Sequence, residues 1–399
     1  MKNYLFRDTF LAPQNREEKE LQSLAINFLR FPLAIFVVYI HVNPQYSVLF
    51  TPIQTINLYE LNLNNLYSII AKLGTHFCSI AIPFFFFTSG YYFFFKTKNW
   101  SFTTYTKKIK KRTKTLLIPY IVWNLLVFAL PITTKLGGII LLSKPWNELS
   151  TLFSSYDTIS SWLEIFWDKT TWQKGTTNLL GISTQMWGPQ LLPLWFLRDL
   201  IVITALTPLI YFCIKHLKVY FIILLGIGYI LTICTLPGLS ITGFFFFSFG
   251  AYLSINNKNL ILFFEKQKTL YWIAAPLFLV LCVVFDSKSF TSIFKAFYCI
   301  SALGLLFCIT STLLISKQCR VYPNLANTSF FIYALHTCSI TNFVCYITNK
   351  LFYAEEYAIG AILSYLISPI IIVIICLTIF LFLKRYFPTL LNLLTGYRN

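Results

Sequence analysis

The sequence predicts an all-α polytopic membrane protein with about ten transmembrane helices and both termini in the cytoplasm. Of its 399 residues 57% are apolar and only 12% are charged, which is about half the charged share of a typical soluble domain. Apolar runs extend from about Leu24 to Leu383 with only short breaks. We therefore expect a cytoplasmic segment over residues 1–23, one membrane domain over 24–383 and a cytoplasmic tail over 384–399.

Ten apolar stretches are long enough to cross a bilayer, which takes about 20 residues in a helix. The stretch 239–255 is short for a span. In chain order the predicted spans cover residues 24–42, 77–95, 116–133, 191–213, 219–236, 239–255, 270–286, 296–315, 326–348 and 357–383.

The basic residues predict the orientation of these spans. Most of the 32 lysines and arginines fall in alternate connecting segments, which the positive-inside rule places in the cytoplasm together with both termini. The net charge of +18 is then explained by topology and by contact with anionic membrane lipids. We expect a multi-pass protein of the cell membrane with no nucleic-acid partner.

A long loop over about residues 134–190 is expected outside the cell. It is rich in tryptophan, which is typical either of a lid that stacks on sugar rings or of an aromatic belt at the membrane interface. The ten cysteines are scattered without a CxxC pair, so we expect neither a disulfide framework nor a metal site.

The first predicted span contains two costly polar residues. The stretch LRFPLAIFVVYIH (29–41) carries Arg30 and His41, and an arginine at the centre of a bilayer costs about 2.5–3.5 kcal/mol on insertion scales. Eleven helical steps of 100° bring both side chains onto one face, about 16 Å apart along the axis. A guanidinium that binds phosphate and an imidazole that acts as a general base match the two ends of an acyl-coenzyme A at that spacing. Taken singly, Arg30 is also explained as a snorkelling residue and His41 as an interfacial histidine.

A basic cluster precedes the third predicted span. The run KKIKKRTKTLLIPY (107–120) contains Lys111, Arg112 and Lys114, which are candidates for binding the phosphates of a cytosolic acyl-CoA. The alternative interpretation is a positive-inside anchor that contacts anionic lipid.

Two later spans carry further polar residues. In PLWFLRDLIV (193–202), Asp199 either orients a catalytic histidine or an acceptor hydroxyl, or forms a structural ion pair with Arg198. Trp195 and Arg198 are candidates for the acceptor side of a site. His336, in SFFIYALH (329–336), either forms an interhelical hydrogen bond or belongs to the reaction cavity. The catalytic candidates are therefore His41, Asp199 and His336.

Taken together, these stretches resemble the acyltransferase-3 family of integral-membrane O-acyltransferases. The first span is similar to a family signature in which an arginine and a histidine are separated by ten residues. IPFFFFTSGYYFF (82–94) resembles the family's second span, and KKIKKRTKTLLIPY resembles the basic segment before its third. PLWFLRDLIV resembles a later span and SFFIYALH the penultimate one, and the four stretches occur in the expected order.

The resemblance implies transfer of an acyl group, by default acetyl, from cytosolic acetyl-CoA to a hydroxyl of a cell-surface glycan or a lipid-linked sugar, with no bound cofactor. By position, Arg30 and His41 match the paired first-span residues. Arg112 matches the first arginine of a cytoplasmic Arg-x-x-Arg element. The second position of that element is Thr115 here, so either the adjacent Lys114 substitutes or the donor is held differently.

Some members of the family carry an extracytoplasmic hydrolase-like domain. We expect the membrane core alone in this chain, with any such domain supplied by a separate partner protein. Residue usage is typical of a bacterial protein. The alternative function is a multi-span transporter or flippase for a polysaccharide or a lipid-linked sugar, which predicts no binding of acyl-CoA.

Two chemical routes remain open for the acyl transfer. His41 either deprotonates the acceptor hydroxyl for direct attack on the thioester, or becomes acylated and passes the acyl group on.

Overall fold

The computed structural model describes residues 16–42, 62–97, 99–142, 145–147, 150, 153–154, 156–171, 176–177, 183–184, 187–233, 235–285 and 288–397. Helices provide nearly all of the regular structure in these residues, and the strands among them are pairs of two residues each.

The first part of the chain contains one continuous helical stretch that carries the basic cluster. A π-helical turn over Thr113–Leu117 joins α4 to α5 without a break. The bounds are α1 Arg16–Val42, α2 Leu63–Cys78, α3 Ala81–Phe94, α4 Phe102–Arg112, α5 Ile118–Leu142 and α6 Ile159–Trp167.

The loop between α6 and the next span contains short antiparallel pairs. Strand β1 (Thr170–Thr171) pairs with β4 (Trp187–Gly188), and β2 (Thr176–Thr177) pairs with β3 (Ser183–Thr184). A 3₁₀ turn over Leu192–Leu194 then leads into the helices of the second part of the chain.

The second part of the chain is helical apart from one tight hairpin, in which β5 (Thr235–Leu236) pairs with β6 (Leu239–Ser240). Its helices are α7 Trp195–Ala205, α8 Thr207–Leu217, α9 Val219–Ile230, α10 Ile241–Ile255, α11 Leu260–Glu265, α12 Lys268–Val284, α13 Lys288–Ile315, α14 Pro323–Leu335, α15 Ile340–Leu351, α16 Ala358–Tyr386 and α17 Pro388–Thr395.

Among the described residues, five helices are long and apolar enough to cross a membrane: Glu20–Val42, Leu63–Phe94, Phe102–Leu141, Phe290–Ile315 and Ala358–Tyr386. The pairs α7/α8 and α14/α15 are bent by 64° and 84°, and counting each as one broken span raises the number to seven. Helices α9, α10 and α12 are apolar but shorter. Each predicted stretch falls on one of these elements, while the count of ten spans and the sides of the termini stay predictions.

The second span begins earlier than the apolar pattern predicts. Its helical bounds are Leu63–Phe94, whereas we expected residues 77–95. Helix α2 carries Asn65, Ser68, Lys72 and Thr75 on one buried face. Because these polar side chains point into the protein, they lower the hydropathy of a segment that is nevertheless part of the bundle.

Helix α1 lies against several other spans, and α3 and α10 pack closely together. Helix α1 contacts α2, α3, α13, α14, α15 and α16. A Cβ added at Gly90 of α3 would overlap the backbone carbonyl of Phe247, and one added at Gly250 of α10 would overlap that of Phe87. The two glycines therefore permit a close approach of the α3 and α10 backbones.

A buried glutamine ties three elements together on the side of the bundle where α1 begins. Gln22 Oε1 accepts a hydrogen bond from the Tyr91 hydroxyl at 2.6 Å and another from the Leu260 amide at 2.9 Å. This connects α1, α3 and α11 beside the start of the first membrane-spanning segment.

Candidate functional site

Two arginines line one cavity of about 190 Å³ between α1, α3, α7 and α14. Arg30 comes from α1, and Arg112 is the last residue of α4. None of the described lining residues is acidic, and the ion pairs among the described residues involve neither arginine. Two guanidinium groups without a neighbouring carboxylate make this cavity suited to an anion.

The walls of the arginine cavity are apolar or carry hydroxyl groups. Such walls suit an extended chain that has few charges of its own. The lining residues besides the two arginines are Ile26, Phe85, Thr88, Ser89, Tyr92, Leu116, Phe196, Leu197, Leu200, Ser329, Phe330 and Tyr333.

Backbone carbonyls of α3 position the basic side chains of α4. Arg112 Nη2 donates to the Ser89 carbonyl oxygen at 3.4 Å, and Lys108 Nζ donates to that of Phe93 at 2.5 Å. The carbonyl end of a helix stabilises a positive charge, and α3 ends at Phe94. The π-helical turn follows Arg112 directly, and such turns are frequent at functional sites.

The neighbouring lysines lie elsewhere. Lys111 and Lys114 are exposed, and neither lines the arginine cavity. Of the basic residues singled out in this segment, Arg112 alone reaches the cavity that contains Arg30. Lys114 therefore does not line this cavity, and its role in binding the donor stays a prediction.

The second part of the site is a pair of histidines. The ring centroids of His41 and His336 lie 4.8 Å apart, with an angle of 66° between the ring planes. His336 is fully buried. Helix α1 runs through Pro32 without a break, so Arg30 and His41 are about 16 Å apart along its axis. The structure thus brings together two histidines from opposite ends of the chain.

Backbone carbonyls select the tautomer of both rings. His41 Nδ1 lies 2.8 Å from the Val37 carbonyl oxygen, and His336 Nδ1 lies 3.0 Å from that of Ile332. A carbonyl oxygen only accepts, so each Nδ1 carries the proton and each neutral ring keeps its lone pair on Nε2. The unprotonated nitrogen of each neutral ring is therefore Nε2.

Both histidines lie at the carbonyl ends of helices. His41 is in the last turn of α1, which ends at Val42. His336 is the residue at which α14 ends, beside the 84° break before α15. The partial negative charge at the end of a helix stabilises a cation by up to about 2 kcal/mol in a partly buried setting. A positive charge that forms on either ring is therefore stabilised in part by the helix end beside it.

Tyr333 connects the arginine cavity with the histidine pair. Its side chain lines the cavity, and its ring centroid lies 6.5 Å from that of His336. The Tyr333 hydroxyl donates to the Pro193 carbonyl oxygen, which ties the ring to the 3₁₀ turn. Tyr333 was not among the candidates predicted from the sequence. Its signal was its place one helical turn before His336, on the same face of α14.

Arg198 and Asp199 form a buried ion pair with structural partners. Arg198 Nη1 donates to the carbonyl oxygens of Trp167 and Trp187 at 2.5 and 2.9 Å. Asp199 accepts from the Arg198 Nε and Nη2 atoms at 3.1 and 3.0 Å and from the amides of Gly238 and Ser240 at 3.1 and 3.0 Å. These bonds join α7 to the 134–190 loop and to the β5–β6 hairpin. They favour the structural ion pair over a role for Asp199 in orienting a histidine.

The predicted acceptor-side tryptophan is part of the core. Trp195 is 9% exposed and packs near Phe86, with ring centroids 6.4 Å apart. Several other tryptophans of the loop are exposed, including Trp146, Trp162 and Trp187. Their exposure is compatible with both interpretations of the loop, a carbohydrate lid and an interfacial belt.

In the described residues no group of three or more His, Cys, Asp or Glu side chains is arranged to hold a metal ion.

Comparison with known proteins identifies the family of the chain. The sequence profile of a family described as an acyltransferase domain, acyltransferase 3, matches residues 23–381. No significant match was found among curated proteins or among solved structures. Because the profile covers nearly the whole chain, the protein belongs to the acyltransferase-3 family of membrane acyltransferases.

Proposed function

We propose that this protein is a membrane-embedded O-acyltransferase that moves an acyl group, by default acetyl, from cytosolic acyl-CoA to a hydroxyl of a cell-surface glycan or a lipid-linked sugar. The observation that carries the proposal is the combination, along α1, of an arginine cavity and a histidine pair. Arg30 and Arg112 line the cavity, and His41 lies beside His336 at the other end of the helix.

The arginine cavity supports an acyl-CoA donor. The two guanidinium groups provide paired hydrogen bonds for phosphate oxygens, and the apolar and hydroxyl-bearing walls suit the pantetheine arm. The distance of about 16 Å from Arg30 to His41 along α1 is comparable to the length of that extended arm. The thioester of a donor held by its phosphates would therefore lie at the histidine pair.

The histidine pair supports transfer to a hydroxyl. His41 Nε2 is the unprotonated nitrogen of the neutral ring, as its bond to the Val37 carbonyl requires. Its lone pair serves either as the base that deprotonates an acceptor hydroxyl or as the nucleophile that takes up the acyl group. We place the acceptor on the extracytoplasmic side, where the exposed tryptophans of the 134–190 loop would stack on its sugar rings, and the protein in the bacterial cell membrane.

Membership of an acyltransferase family favours this proposal over a transporter or flippase. A transporter would need no acyl-CoA. Binding of acyl-CoA by the purified protein therefore distinguishes the two functions.

The donor site is tested by binding acetyl-CoA to the purified full-length chain in lipid nanodiscs. Each charged hydrogen bond contributes about 1.5–3 kcal/mol, so Arg30→Gln and Arg112→Gln should each weaken acetyl-CoA binding roughly 10- to 100-fold. Lys110→Gln is the matched control, because Lys110 is exposed on the same helix. Binding of S-acetylpantetheine, which lacks the nucleotide phosphates, should change little in any variant.

The transfer step is tested with radiolabelled acetyl-CoA and a panel of soluble glycans and extracted membrane lipids. We expect His41→Gln to bind acetyl-CoA as the wild type does and to lose transfer. Normal transfer by this variant would refute the assignment of His41. Absence of acetyl-CoA binding by the wild type would refute the proposed donor and favour a transporter.

A further inference from the structure

We propose that the two histidines divide the transfer into two half-reactions. His41 Nε2 carries the acyl group, and His336 Nε2 takes the proton of the acceptor hydroxyl. The inference rests on the proposed acyltransferase function and deepens it, because it selects the acyl-histidine route over direct transfer and assigns a separate task to each ring.

The environment of His336 is the main support for this division. His336 Nε2 is buried and has no hydrogen-bond partner among the described residues. An unpaired buried polar atom costs about 1–3 kcal/mol, so a role in the reaction explains why it is kept. Direct transfer requires a single base and would leave this nitrogen unused, although its ring lies 4.8 Å from that of His41.

His41 is ready to act as a nucleophile without a second base. Its Nδ1–H donates to the Val37 carbonyl oxygen, so the Nε2 lone pair attacks a thioester carbonyl directly. The carboxylate that orients the histidine in many hydrolytic triads is replaced here by the backbone carbonyl. Asp199, the buried carboxylate of α7, is occupied by its bonds to Arg198, Gly238 and Ser240.

The two half-reactions balance in atoms and charge. In the first, His41 Nε2 forms a bond to the acyl carbon, the carbon–sulfur bond breaks, and coenzyme A leaves as the thiolate. In the second, the acceptor oxygen attacks the acyl carbon, the carbon–nitrogen bond breaks, and the hydroxyl proton moves to His336 Nε2. His336 then releases that proton, which balances the thiolate formed in the first step.

The positions of the rings at helix ends favour this sequence of charges. The acylated His41 is a cation because Nδ1 keeps its proton, and it lies in the last turn of α1. The second step neutralises His41 and places the charge on His336, at the carbonyl end of α14. The pair therefore carries one positive charge at a time, next to a helix end that stabilises it.

The test separates the two half-reactions without the natural acceptor. Full-length protein in nanodiscs is mixed with radiolabelled acetyl-CoA, with water and methanol as the hydroxyl donors, and both released coenzyme A and label bound to protein are measured. We expect His336→Gln to retain acetyl-CoA binding and to accumulate label on His41, identified by peptide mass spectrometry. Its discharge to water and methanol should be roughly 100- to 10,000-fold slower than in the wild type, the range of general-base contributions.

Controls distinguish a chemical role of His336 from a structural one. Hydroxylamine, a strong nucleophile, should release the label from wild type and from His336→Gln alike. His41→Gln should bind acetyl-CoA without becoming labelled, and His216→Gln should behave as the wild type because His216 is exposed at the end of α8. His336→Asn provides a second variant if His336→Gln does not fold.

The proposal would be overturned if a His336 variant bound acetyl-CoA but never became labelled, or if its label were discharged at the wild-type rate. A wild-type protein that does not bind acetyl-CoA would instead overturn the proposed donor, and the relay with it. The binding measurement therefore separates failure of the relay from failure of the proposed function.

Discussion

The buried pair of Arg198 and Asp199 provides a decisive test of whether Asp199 acts in folding or in catalysis. Asp199→Ala removes a carboxylate that accepts four hydrogen bonds, two from Arg198 and one each from the amides of Gly238 and Ser240. The substitution leaves the charged guanidinium of Arg198, whose side chain is 4% exposed, without its carboxylate partner. It also leaves the two backbone amides unpaired. Removing one partner of a buried ion pair costs about 3–5 kcal/mol, so we expect a loss of that size in the free energy of unfolding.

The assay measures the two properties on one preparation. Unfolding by sodium dodecyl sulfate, followed by tryptophan fluorescence, gives the change in free energy, and acetyl-CoA turnover is normalised to the folded fraction. We expect Asp199→Ala to lose stability and to keep its turnover per folded molecule. Asp199→Asn should lose less stability, because the amide oxygen still accepts hydrogen bonds. Unchanged stability together with a turnover at least about 100-fold lower, the scale of a lost general base, would contradict the structural assignment.

Three other substitutions test features that surround the site. Gly90→Val should prevent correct folding, because a Cβ at position 90 overlaps the Phe247 carbonyl. Gel filtration and a melting scan measure this, and a monodisperse variant with the thermal stability of the wild type would refute the close α3–α10 contact. Gln22→Leu leaves two buried donors, the Tyr91 hydroxyl and the Leu260 amide, without their acceptor. It should lower the free energy of unfolding by about 2–4 kcal/mol, measured by detergent titration. A change below about 0.5 kcal/mol would be inconsistent with these bonds. Lys114→Gln should change acetyl-CoA affinity less than about threefold in the nanodisc binding experiment, since an exposed charge contributes little. An effect as large as that of Arg112→Gln would show that Lys114 does bind the donor.

The predicted class of fold and several of the site residues could be read from the sequence because they depend on local properties. The length of an apolar run predicts a helix that can cross the bilayer, and the eleven helical steps from Arg30 to His41 determine their spacing on any continuous α-helix. The family resemblance, read from motifs in order along the chain, is confirmed by the profile match over residues 23–381.

Where the sequence prediction was incomplete, packing between distant segments is the reason. The start of the second span was misplaced because the polar face of α2 is buried against other helices and lowers the hydropathy of that segment. The apolar pattern also did not predict the breaks within α7/α8 and α14/α15. The second break places His336 at a helix end, which a hydropathy profile does not indicate.

Composition and motif spacing by themselves determined that this chain is a helical membrane protein with a cation and an imidazole on one face of its first span. These properties act between neighbouring residues, or between a single helix and the bilayer. Only the tertiary structure decided that Arg112 shares a cavity with Arg30, that His336 faces His41, and that Arg198 and Asp199 bind each other and the 134–190 loop. Those outcomes depend on which helices pack together, and residues far apart in the chain meet only after the bundle has formed.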